Sequence, residues 1–264
     1  MITPVAPSPR VVIAHDNVKI ATYEFGDPDA PTVVAVHGFA SSALVNFHAT
    51  GWVRDLLRAG FHVIAIDQRG HGASDKPQDP GAYTMELLVT DVLEVLDTFM
   101  LDEVDYVGYS LGARVGWEAA TEMPSRIKRA VLGGIPDGDP LTRFRVDQAR
   151  QFLDDGTVVE DRLTAGYLTM AGGIPNNNLG ALVSLVEGMR GGPQPHAANA
   201  PSHPVLFATG SEDGILAASR SLAEATPNGT FFEIPGRNHF NAPTARAFRD
   251  AALGFLGATP ALLE

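Results

Sequence analysis

Apolar positions along the chain follow two alternating rhythms. Short continuous runs, rich in β-branched residues, occupy residues 32–36, 61–66, 127–132, 204–208 and 229–234, with a further run opening at Val104. Runs of this length and composition suit strands buried on both faces of a parallel sheet. Between them the apolar residues recur at steps of three and four. Trp52, Val53, Leu56 and Leu57 mark one helical face within residues 50–59, which Gly60 closes. Met85, Leu88, Val92, Val95, Leu96 and Phe99 mark another within residues 84–100. The stretch after Ser110 is apolar nearly all round, which predicts a central buried helix over residues 113–121. A helix is predicted over residues 215–226, and a last one opened by Pro243 turns Phe248, Ala252, Phe255 and Leu256 inward. At the start, residues 10–14 and 18–25 read as two strands joined across residues 15–17.

The rhythm breaks between residues 137 and 200, where no strand pattern is present. A helix is predicted over residues 141–153, with Phe144, Ala149 and Phe152 apolar. Val159, Leu163, Tyr167 and Met170 form a second stripe, and Leu179, Leu182, Val183, Val186 and Met189 a third. A βα alternation needs only about 10–15 helical residues at this point. The excess predicts a helical lid over Ser110 that supplies an apolar acyl or alcohol pocket, rather than an ordinary set of helices on the sheet. The fold class is therefore α/β, a mostly parallel central sheet flanked by helices. Residues 1–136 and 201–264 form the core, and residues 137–200 form a helical cap or lid.

Composition narrows the class of partner. The chain has 264 residues, is 45% hydrophobic and 19% charged, and carries a formal net charge of −12. That acidity argues against nucleic acid and against an anionic membrane surface, and leaves a small-molecule substrate. There is no cysteine, hence no disulfide framework, thiolate metal site or cysteine nucleophile. The eight histidines include no His-x-x-x-His pair, so neither a metal nor another cofactor is expected. Residues 1–10 are Pro-rich without an apolar h-region, and no apolar run approaches the ~18 residues of a membrane helix. A cytoplasmic location follows by default, and no feature specifies an oligomeric state.

Candidate chemistry gathers where the predicted strands end. After the strand at Val104 the chain reads Gly108-Tyr109-Ser110-Leu111-Gly112 and runs directly into the apolar helix. A nucleophilic serine must stand clear of the sheet on a tight turn, and side chains two residues before or after it would collide with neighbouring strands. The same turn aims the Leu111 N–H at the carbonyl that Ser110 would attack. A serine hydroxyl is unreactive at neutral pH without a base within hydrogen-bond reach. His239, just after the strand at residues 229–234, is the candidate base, and Asp213, just after that at 204–208, would fix its tautomer. Glu212 and Asp137 are the rival acids. Asp67-Gln68-Arg69-Gly70-His71-Gly72 is Gly-rich but lacks the lysine and spacing of a phosphate loop, so it reads as a turn beside the serine, with Arg69 and His71 structural. His37 reads as a histidine holding its own loop.

Taken together, these segments resemble the α/β-hydrolase superfamily. The resemblance runs through His37-Gly38-Phe39, Asp67 to Gly72, Gly108 to Gly112, Gly210-Ser211-Glu212-Asp213 and Gly236-Arg237-Asn238-His239. It implies a Ser110–His239–Asp213 triad, in the order usual for that superfamily, with the backbone N–H of Phe39 as the second oxyanion donor beside Leu111. The serine sets the chain apart from epoxide hydrolases and haloalkane dehalogenases, which use aspartate there. Gly108-Tyr109-Ser110-Leu111-Gly112-Ala113-Arg114 also resembles the SHCHC synthases, whose motif carries an arginine at the position of Arg114. The expected activity is hydrolysis of a small or medium carboxylic ester, thioester or lactone. A carbon–carbon lyase on the same triad and a non-turnover receptor for a small ligand are the alternatives. Tyr109, Arg114, Phe144 and Met170 are the candidate substrate-binding side chains.

Overall fold

The apolar runs bury because each strand turns alternate side chains to opposite faces of one sheet. In the computed structural model, which describes residues 5–135, 138 and 141–257, Val33 and Ala35 enter one core while Val34 and Val36 enter the other. The eight strands are β1 (Arg10–Ile13), β2 (Lys19–Phe25), β3 (Thr32–Val36), β4 (His62–Ile66), β5 (Val104–Tyr109), β6 (Ile127–Gly133), β7 (Val205–Gly210) and β8 (Gly229–Ile234). Their order across the sheet is β1-β2-β4-β3-β5-β6-β7-β8. β2 is antiparallel to both β1 and β4, and the remaining pairs are parallel. Every residue of β3, β4 and β5 is buried, as a strand covered on both faces requires.

Helices cover both faces. α1 (Trp52–Arg58) and α8 (Arg246–Phe255) share one core with Val63, Val107 and Leu206. α2 (Met85–Thr98), α3 (Leu111–Glu122) and α7 (Leu216–Ala225) share the other with Ile64, Tyr106 and Leu132. Between β6 and β7 the chain forms α4 (Val146–Asp155), α5 (Arg162–Gly172) and α6 (Leu179–Gly188). Side-chain caps fix several helix starts. Thr84 accepts from the Leu87 N–H at 3.3 Å, Asp161 from Thr164 at 2.8 Å, and Asn178 from Ala181 at 3.0 Å.

Two predicted elements differ from the structure, and one observed element was not predicted. The helix expected over residues 141–153 starts only at Val146. Leu141 has φ of +55° and accepts the Phe144 N–H, so Phe144 is buried in a turn rather than on a helix. Pro243 does not open the final helix. It lies in a short 3₁₀ turn, Ala242–Thr244, its carbonyl accepts the Trp52 indole N–H at 2.9 Å, and α8 begins at Arg246. A single wide π-turn, Leu44–His48, precedes α1 and has no counterpart in the sequence pattern. Among the described residues no helix is long and apolar enough to cross a membrane.

Candidate active site

The site is built at the C-terminal ends of the parallel strands, where open α/β sheets carry their ligands. β5 delivers the chain to Ser110, which adopts φ +53° and ψ −110°, a conformation few L-residues occupy. Close packing explains the flanking glycines. A Cβ on Gly108 would meet the Gly112 carbonyl oxygen at 2.4 Å, and one on Gly112 would meet the Val36 carbonyl oxygen at 2.0 Å. The strained turn is pinned by the Ser110 N–H, which donates to Gly133 O at 2.7 Å, and by the Tyr106 hydroxyl, which donates to Gly112 O at 2.7 Å. Leu111 is the first residue of α3, so the positive end of that helix faces the serine.

The loops after β7 and β8 bring the other two groups. His239 Nε2 lies 2.9 Å from Ser110 Oγ, and its Nδ1 lies 2.8 Å from Asp213 Oδ2. With Nδ1 protonated and donating to the carboxylate, Nε2 is left as an acceptor for the serine proton. The Asp213 side chain is 4% exposed and that of His239 22%, so the carboxylate is dry while the imidazole reaches the pocket. Glu212 is exposed, and Asp137 lies outside the described residues. The Tyr109 hydroxyl donates to the His239 carbonyl at 2.5 Å and so ties the His239 backbone to β5. Burial, reinforced by the Asp213 carboxylate and by Tyr167, pushes the Tyr109 hydroxyl well above the ordinary phenol range, and it remains a donor.

The loop of residues 37–40 forms the opposite wall. His37 is fully buried, its Nδ1 donating to Gly38 O at 2.7 Å and its Nε2 accepting from the Gln68 N–H at 3.1 Å. Neither ring nitrogen of His37 faces Ser110, in keeping with a loop-holding role. His71 repeats the pattern, with Nδ1 to Arg69 O and Nε2 accepting from the Ala40 N–H at 3.0 Å. Desolvation drives both rings below the ordinary histidine range, His71 well below it. Arg69 is likewise internal, paired with Asp91 at 2.7 Å and Asp16 at 2.8 Å.

A cavity of about 200 Å³ opens over Ser110 and His239. Phe39, Tyr109, Tyr167, Met170, Ile174 and Phe240 supply most of its apolar wall, and Asn46, Thr50 and Thr244 its polar edge. Tyr167, Met170 and Ile174 come from α5 and the loop after it, so the inserted helices contribute directly to the cavity. Of the four candidate substrate-binding side chains, Tyr109 and Met170 line it. Phe144 stands behind Phe39 and Tyr167, with ring centroids 6.4 and 6.3 Å away. Arg114 does not line it. Its guanidinium is buried and donates to Pro193 O at 2.8 Å, on the segment leading out of the inserted helices. Asn46, Tyr167 and Phe240 were not among the site residues expected from sequence. Tyr167 lay on the predicted apolar stripe and Phe240 directly follows the candidate base, but Asn46 sits in the π-turn that no periodicity announces.

A mostly parallel sheet, a serine on a strained strand-to-helix turn and a histidine–aspartate pair on later loops define an α/β-hydrolase arrangement. Residues 31–165 match the family model described as alpha/beta hydrolase fold, and the chain belongs to that family. Over 147 residues it is 34% identical to epoxide hydrolase A of Mycobacterium tuberculosis, an alignment covering 56% of this chain and 44% of that protein. The matched segment thus spans less than half the length of such curated relatives. It is 26% identical over 255 residues to a putative 2-succinyl-6-hydroxy-2,4-cyclohexadiene-1-carboxylate synthase of Bacillus subtilis, covering 86% of this chain and 90% of that one. Among solved structures, the enol-lactonase from Burkholderia xenovorans superimposes with a TM-score of 0.75 at 22% identity, covering 94% of this chain and 100% of that one, a likeness of fold.

Proposed function

We propose that this chain is a serine hydrolase that cleaves a small or medium carboxylic ester, thioester or lactone through an acyl-enzyme on Ser110. The observation that carries the reading is the His239 imidazole, hydrogen-bonded to Ser110 Oγ on one side and Asp213 on the other. As Oγ attacks the acyl carbon, Nε2 takes its proton and the carbonyl π electrons move onto oxygen. The backbone N–H groups of Phe39 and Leu111 hold that oxyanion. Collapse breaks the bond to the leaving oxygen or sulfur, which takes the proton from His239. Water, deprotonated by the same imidazole, then attacks the acyl carbon and releases the acid. Asp213 holds the tautomer and stabilises the imidazolium throughout. Residues 137–200 act as a cap that shapes the acyl pocket.

The nucleophile's chemistry favours an acyl substrate over an epoxide. Serine opening an epoxide would leave an ether, which offers no carbonyl for water to attack, whereas an acyl-serine hydrolyses readily. The relationship to the Bacillus subtilis synthase favours a second reading, carbon–carbon bond cleavage on the same triad. That reading requires cationic groups to hold a polycarboxylate. Among the described residues no lysine or arginine lines the cavity, and Arg114 is engaged with Pro193 instead. The uncharged wall supports the ester reading. Acyl esters of graded chain length should be turned over by the wild type and not by Ser110→Ala. Ligand binding without turnover in both forms would mark a receptor and overturn the proposal.

A further inference from the structure

One polar side chain in the cavity wall has no part in the chemistry above. Asn46 is 6% exposed and lines the cavity together with Ser110 and His239. The π-turn fixes its backbone. Its N–H donates to Ser42 O at 2.8 Å, and its carbonyl accepts the Thr50 hydroxyl at 2.5 Å. The orientation of the carboxamide is set as well, because Gly38 N–H lies 3.4 Å from Oδ1 and only the oxygen can accept there. Nδ2 is thereby left as a buried donor with no partner among the described residues. Most buried polar groups are hydrogen-bonded, and a buried donor left unpaired carries a free-energy penalty. A substrate that fills the cavity either offers Nδ2 an acceptor or leaves the donor stranded.

Resting on the serine-hydrolase reading and extending it to substrate choice, we infer that Asn46 is a specificity-determining residue. Its Nδ2 donates to an uncharged acceptor oxygen, a keto, ether or hydroxyl group, carried on the substrate chain beyond the reacting carbonyl. The other walls fit this class. They are largely aromatic and aliphatic, and among the described residues no Asp, Glu, Lys or Arg side chain lines the cavity. An oxygenated neutral chain matches both features, whereas a plain alkyl chain leaves Nδ2 unpaired and a carboxylate meets no cation.

The test uses alkyl fluorophosphonates, in which Ser110 Oγ bonds to phosphorus, fluoride leaves and His239 takes the serine proton. A series replaces one chain methylene at a time by an ether oxygen, and the second-order labelling rate of each probe is compared with that of the all-carbon chain. The wild type should label at least about tenfold faster with the oxygen at one chain position. That ratio should collapse to near unity in Asn46→Ala. In Asn46→Asp, which keeps an acceptor for Gly38 N–H but loses the donor, it should fall below unity. The ratio is unaffected by any general slowing from a disturbed Gly38 loop, and the aspartate variant covers the case in which alanine fails to fold. A wild type that labels without preferring any ether position, or a preference that survives in the variants, overturns the inference and leaves the serine hydrolase standing. No labelling of the wild type by any probe would overturn the hydrolase reading itself.

Discussion

Arg114 separates the ester reading from the carbon–carbon lyase reading, and its surroundings give the size of the effect. The residue is 1% exposed and its guanidinium donates to Pro193 O at 2.8 Å. One turn further along α3, burial raises the Glu118 carboxyl above the ordinary range and the Arg114 charge opposes that rise. Substituting Arg114→Gln removes a charge-assisted hydrogen bond, worth about 1.5–3 kcal/mol, and leaves Glu118 less favourably placed. In a chain of this size about 2–4 °C of Tm accompanies each kcal/mol, so the loss should lie at about 3–12 °C. Because Arg114 does not line the cavity, kcat/KM on neutral esters should stay within about threefold of wild type. Calorimetry and steady-state kinetics on the same preparation provide both numbers. An unchanged Tm with a loss beyond about 10²-fold, confined to carboxylate-bearing substrates, would refute the reasoning and favour the lyase.

Two further outcomes follow from packing and from buried histidines. Gly112→Ala places a methyl group 2.0 Å from the Val36 carbonyl oxygen and 2.5 Å from its carbon, so the elbow must shift. Overpacking of this kind costs about 1–3 kcal/mol, and both Tm and the rate of active-serine labelling should fall; wild-type values for both would contradict the account of the turn. His37 and His71 are neutral when folded because burial depresses both rings, so below about pH 6.5 the unfolded chain binds more protons than the native one. Their contribution is complete above that pH and is lost as pH falls towards the depressed folded values, by up to about 1.4 kcal/mol per pH unit per ring. Urea unfolding at a series of pH values should show this decline, and His71→Gln should make it shallower; an identical slope in the variant would contradict the assignment.

The sheet was legible because its central strands are buried on both faces and therefore appear as unbroken apolar runs, as at residues 32–36 and 104–109. The elbow was legible for a related reason. Only glycine fits against the backbone at residues 108 and 112, so the constraint is written into the sequence itself. What escaped depends on contacts distant in sequence. Phe144 shared the apolar spacing of a helix, yet it is buried by Phe39 and Tyr167 in a turn. Pro243 matched the start of a helix, but its carbonyl is held by Trp52 on the far side of the chain. Asn46 gave no signal, since one π-turn has no period and the atoms that surround a carboxamide cannot be read from its neighbours. Arg114 lies only four residues after the serine in sequence, but its side chain runs away from the cavity to Pro193.

The central claim is that Ser110 carries the acyl group. Its most direct test is intact-mass spectrometry of the protein quenched in acid within the first turnover of an activated acyl ester, followed by peptide mapping. The account predicts one acyl adduct per chain on the peptide containing Ser110, decaying as product acid appears and absent from Ser110→Ala. Turnover by the wild type with no adduct on Ser110, or with the acyl group on another residue, would contradict it.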